Sequence, residues 1–102
     1  MNSPSMGDWN MPQVFKIAGY WVYFWSDEGK PREPIHIHIS KGKPSSNATK
    51  IWITSKGKCI LEHNKSKIPE ALLANMIRMI ESRTFEIISK WQETFGEIRF
   101  YC

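Results

Sequence analysis

The chain has 102 residues, a formal net charge of +4, and 41% hydrophobic, 13% aromatic and 24% charged residues. That length holds one domain, and the apolar content is too high for a disordered chain. The longest apolar run, Tyr20 to Trp25, is far shorter than the ~20 residues of a membrane span. The N-terminal MNSPSMGDWN lacks the basic and apolar regions of a secretory signal. The expectation is a cytoplasmic protein that does not enter a membrane. Cys59 and Cys102 agree, since two cysteines so far apart make neither a disulfide framework nor a C-x-x-C motif.

In chain order, residues 1–10 read as a polar, disordered extension. Structure is expected from Met11-Pro12, with Met11 an alternative translation start. A β-hairpin follows, with arms Val14 to Ile17 and Tyr20 to Trp25 around the turn Ala18-Gly19. In its second arm Tyr20, Val22 and Phe24 share one face, while Trp21, Tyr23 and Trp25 share the other. Rings on both faces predict an interior strand covered on each side, or one whose outer face meets a partner. The turn formers and prolines of SDEGKPREP end that strand. Ile35 to Ser40 then alternates, with isoleucines on one face and His36, His38 and Ser40 on the other. After the loop KGKPSSNAT, Lys50 to Thr54 and Lys58 to Glu62 predict a second hairpin around Ser55-Lys56-Gly57, with Gly57 at positive φ.

From Ile68 the period changes. Leu73, Ile77, Ile80, Thr84, Ile87, Trp91 and Phe95 recur at steps of three and four. Ser66 is the expected cap, Pro69 suits the first turn, and Gly96 is a stop signal. No glycine or proline interrupts Glu70 to Phe95, so one long helix is expected, with a bend near Ser82-Arg83 as the fallback. EIRFYC, residues 97–102, reads as a tail or short edge strand. The fold class expected is α+β over residues 11–96: a mostly antiparallel sheet of about five strands with one long C-terminal helix packed on one face.

Three groups of side chains carry the candidate chemistry. His36 and His38 project ~6.5–7 Å apart along a strand, a spacing that can converge on an ion or a phosphate. A zinc or other divalent metal would be the cofactor, if there is one. Its third ligand would come from His63, Glu33, Glu62 or Asp27, none of which stands at a selecting spacing. With Lys41 to stabilise a charged transition state, the two imidazoles would instead make a small ribonuclease. The simpler reading gives the histidines only the polar face of a strand. Next come the lysines: residues 41–67 hold seven lysines against Glu62 alone, so that block is +6 in a chain of +4. Lys41, Lys43, Lys50, Lys56 and Lys58 are the candidates for gripping nucleic acid or another anion. A solvated, lysine-rich hairpin is the favoured reading, because arginine is absent from the block. Finally, Trp21, Tyr23 and Trp25 could stack on bases or meet a protein partner, with core packing or a homodimer interface the favoured reading. Cys59 reads as a small core residue.

The order of these features resembles a known family. Met11 to Phe15, the aromatic hairpin Gly19 to Trp25, the acidic Asp27-Glu28, Pro34 to His38, and Trp91 to Gly96 together resemble the small bacterial proteins of domain of unknown function family 4160. The match spans roughly residues 11 to 96. The resemblance implies a gene neighbourhood similar to toxin–antitoxin pairs, hence a protein partner and nucleic acid as a further ligand. Many relatives carry a basic or polar residue where Trp21 stands, so an exposed Trp21 would mark a contact surface. The expected function is a small interaction module in such a two-gene or defence-related system. The alternatives are the ribonuclease built on His36, His38 and Lys41, and a phage or mobile-element inhibitor of a host complex.

Overall fold

Two residues of positive φ, Ala18 at 50° and Gly19 at 83°, reverse the chain between β1 (Gln13–Ile17) and β2 (Tyr20–Tyr23). Consecutive left-handed residues match the twist of the flanking strands, which is why so short a turn serves here. β3 (His36–Lys41), β4 (Thr49–Ile53) and β5 (Cys59–His63) follow, and Gly57 turns β4 into β5 at φ 76°. All four pairings are antiparallel, and the strands lie in the sheet in sequence order. The computed structural model describes residues 13–26 and 32–102. The expected extension 1–10, the start at Met11 and the candidate ligand Asp27 lie outside the described residues.

Alternation sorts the strand residues as the sequence predicts. Phe15, Ile17, Tyr20, Val22, Phe24, Ile35, Ile37, Ile39, Ile51 and Ile53 join Leu73, Met76, Ile80, Ile87 and Trp91 of the helical region in one buried cluster. Each fully buried side chain of this kind contributes roughly 1.5–3 kcal/mol of hydrophobic stabilisation. Tyr23 and Ala48 form a second cluster with Trp21 and Trp25 packed against it, so β2 is covered on both sides.

The single long helix does not form. There are two, α1 (Glu70–Glu81) and α2 (Thr84–Phe95), broken at the fallback position. Ser82 Oγ donates to Met79 O at 2.7 Å and Arg83 N to Ile80 O at 2.9 Å, closing α1 with a tightened last turn. Arg83 then leaves the helical region at φ −130° and lays its guanidinium 4.0 Å over the Phe15 ring. The stripe stays in phase across the break, so both helices bury apolar residues in the same cluster. Because the break needs no glycine or proline, the sequence pattern conceals it.

Ser66 does not cap α1. Pro69 occupies that position with no side-chain cap, and Asn64 closes the preceding turn instead, holding both the N–H and the carbonyl of Ile68. Ser66 Oγ lies 2.5 Å from Thr49 Oγ1. Gly96 ends α2 at φ 76° as expected. Residues 97–102 are a tail, not an edge strand, and the tail is tied down: Ile35 N donates to Arg99 O at 2.8 Å and Ser55 N to Cys102 O at 2.9 Å. Among the described residues no helix is long and apolar enough to cross a membrane.

Two glycines with the same φ separate backbone strain from crowding. A Cβ on Gly96 would meet nothing within 4 Å, whereas one on Gly57 would stand 3.0 Å from Thr84 Oγ1. Gly96→Ala is expected to cost about 1–2 kcal/mol, the left-handed term alone. Gly57→Ala is expected to cost more, and the excess should shrink in a Thr84→Ala background. Urea unfolding of the four variants measures this directly.

Candidate functional site

The register of the central strands assembles the outer face. Tyr23 pairs with His38, His38 with Lys50, and Lys50 with His63, so one row crosses β2 to β5. The neighbouring row sets His36 opposite Trp52 and Trp52 opposite Ile60. The His36 and His38 rings meet edge to face at 5.1 Å between centroids. His36 also touches Trp52 at 5.5 Å and Trp91 of α2 at 5.4 Å, and Trp52 stacks on Tyr101 of the tail at 5.0 Å.

This face is roofed rather than open. His36 is 1% exposed. Its Nδ1 lies 2.9 Å from Pro34 O, a carbonyl that can only accept, so Nδ1 carries the proton and donates. Toward β2, the Tyr23 hydroxyl lies 2.9 Å from Ser40 Oγ and accepts from Ser45 N at 3.3 Å, which draws the β3–β4 loop over the ring. Tyr23 is thereby fully buried, leaving only Trp21 and Trp25 of the aromatic trio half-exposed. Lys16 Nζ lies 5.0 Å over the Trp21 ring.

Electrostatics follow from that cover. Burial pushes the His38 imidazole down to about 3, helped by neighbouring His36 and the Lys50 ammonium and opposed by Glu33. Glu33 is held below the usual carboxylate range, first by its hydrogen bond from Lys50 Nζ at 2.6 Å. Lys50 also lies 4.4 Å over the Trp52 ring, and Trp52 Nε1 donates to Glu62 at 2.7 Å. His63 Nδ1 is buried with no hydrogen-bond partner among the described residues. Burial and the nearby Glu81 carboxylate push the Cys59 thiol up to about 12, which makes it a poor nucleophile.

Of the expected site residues, His36 and His38 do come together, and Lys41 does not join them. Period two puts Lys41 on the Ile37 and Ile39 face of β3, opposite the imidazoles. The lysine on the histidine face is Lys50, already paired with Glu33. Glu33 Oε1 approaches His36 Nδ1 to 3.7 Å, yet among the described residues no three His, Cys, Asp or Glu side chains are placed to share a metal ion. Lys41, Lys43, Lys56 and Lys58 are exposed. Trp52 and Tyr101 were not among the expected site residues. Alternation in Lys50 to Thr54 carries a signal for Trp52, but nothing local brings Tyr101 across the sheet.

The depressed His38 makes stability depend on pH. The unfolded chain takes up the proton near 6.5 and the folded one only near 3. Between those values the unfolded state binds more protons, so stability falls as pH drops from 6.5 toward 3. The slope approaches about 1.4 kcal/mol per pH unit. Above about pH 5 the carboxylates hardly titrate, which isolates the histidine contribution. Urea midpoints for the wild type are expected to fall across that window more steeply than those of His38→Phe, and equal slopes would refute the assignment.

A family model described as Domain of unknown function (DUF4160) matches residues 19–92, and the chain belongs to that family. No curated protein and no solved structure matches it.

Proposed function

We propose that this member of the DUF4160 family is an interaction module that works by engaging a protein partner, as one component of a two-gene, toxin–antitoxin-like system. The observation that carries the reading is a contrast in exposure. The histidines that a ribonuclease would need are packed among rings, while large apolar side chains stand in solvent: Phe85 at 65%, Tyr101 at 56%, Met79 at 46%, Leu61 at 42% and Ile60 at 36%. Exposed apolar area of this kind marks contact surfaces.

Proton transfer argues the same way. A general acid or base works best with a pKa near the operating pH. His38, at about 3, is a neutral imidazole near neutrality, too weak a base and with no imidazolium to act as the acid. His36 is walled in by Trp52, Trp91 and His38. Lys41 leaves β3 on the far face, away from any phosphate that the imidazoles would hold.

Affinity capture with the full chain from its native host, with and without nuclease, tests the reading together with an RNA-cleavage assay on the purified protein. The expected outcome is a protein partner retained after nuclease treatment and no cleavage of RNA. Cleavage that disappears in His38→Gln, with folding unchanged by circular dichroism, would overturn the module reading in favour of the enzyme.

A further inference from the structure

We propose that the free edge of β5 is a docking strip for an extended partner segment, apolar in the middle and acidic at both ends, which adds to the sheet as a sixth strand. This rests on the module reading above and names its surface. β5 is last in the sheet and pairs only with β4. The bond from Thr54 N to Lys58 O, at 2.9 Å, sets the phase of that ladder. Antiparallel alternation then directs the main-chain groups of Cys59 and Leu61 away from β4. Cys59 N supports this phase, because it donates outward to Glu81 Oε2 at 2.9 Å. The Glu81 carboxylate marks where the acceptor of an added strand would stand, so a visitor pairs through Leu61 and displaces Glu81 from Cys59 N.

The side chains suit an extended visitor. Ile60 and Leu61 are both exposed and, as neighbours on a strand, point to opposite faces. An added strand can therefore bury one apolar residue on each side of the sheet, and on the outer face the stacked Trp52 and Tyr101 lie beside Ile60. Main-chain pairing gives affinity in this mode of recognition, and alternate side chains give specificity.

Charge then selects the visitor. Lys56 and Lys58 stand at one end of β5 and Lys65 and Lys67 at the other, all exposed, and none pairs with a carboxylate among the described residues. Within β5 the only acid is Glu62, which is engaged by Trp52, and the one carboxylate that reaches the edge from outside, Glu81, is engaged by Cys59 N. The same arrangement disfavours a second copy of this chain, because antiparallel pairing of two β5 strands would set lysines against lysines. A phosphodiester backbone has no donor for the outward carbonyls and leaves the apolar pair unused, and the block lacks arginine.

The test uses the full chain and fluorescent peptides with a Val-Thr-Val-Thr-Val centre, flanked at both ends by either acidic residues or lysines, with oligouridylate RNA as competitor. The acid-flanked peptide is expected to bind roughly tenfold more tightly than the lysine-flanked one, to weaken with added salt, and to shift the amide resonances of Cys59 and Leu61. Leu61→Lys should weaken it roughly tenfold. The exposed charge reversals Lys65→Glu with Lys67→Glu should reduce the preference without touching the core. Absence of binding, equal binding of both peptides, displacement by RNA, or indifference to Leu61→Lys and to the charge reversals would each overturn the proposal. A host partner captured equally well by Leu61→Lys would sink the edge alone and leave the module reading standing; no partner captured by any form would sink the module reading.

Discussion

β3 is the central strand of five and is buried on both sides, and the rest of the domain is arranged to make that burial tolerable. On one side the problem is simple, since Ile37 and Ile39 need only apolar neighbours, which β4 and the helices supply. On the other, two imidazoles must lose water. An unsatisfied buried polar group costs about 1–3 kcal/mol. His36 avoids part of that penalty by donating to Pro34 O, two residues away, and its ring edge is met by Trp52, Trp91 and His38.

Covering the imidazoles explains features that otherwise look unrelated. The β3–β4 loop closes over Tyr23, and the tail returns from α2 to place Tyr101 on Trp52. The tail is secured at several points, including an Arg32 to Glu97 ion pair at 2.6 Å and a hydrogen bond from Arg99 to Arg32 O. Exposed pairs of this kind contribute little singly. They act together with the two backbone bonds that lock the tail to Ile35 and Ser55. With both ends of the face roofed, the large apolar side chains left in solvent stand away from the histidines, on β5, the helices and the tail.

The most legible parts of the sequence were those governed by local repeat. The hairpin turn at Ala18-Gly19, the sorting of β2 onto two faces, the positive φ of Gly57 and the stop at Gly96 all follow from one or two residues and their spacing. The break between α1 and α2 is legible only as a fallback, because it arises from Ser82 back-bonding and from Arg83 reaching Phe15, far earlier in the chain. Ser66 is locally a good cap for α1, but Thr49 of β4 claims its hydroxyl, a contact that no local pattern reveals. The candidate site was half legible: period two juxtaposed the imidazoles, and the same period, applied to Lys41, would have placed it on the wrong face for catalysis.

What the sequence determined alone is therefore the set of strands, their two faces and the helical stripe, because each is a short-range consequence of backbone period and turn chemistry. The tertiary structure alone decided how exposed the histidines are, which lysine stands with them, and what the tail does. Those depend on register between strands joined by a long loop and on contacts between residues far apart in the chain. Burial and charge state are properties of such contacts, so His38 acquires its depressed pKa only when β2 and the Lys50-bearing β4 close around it.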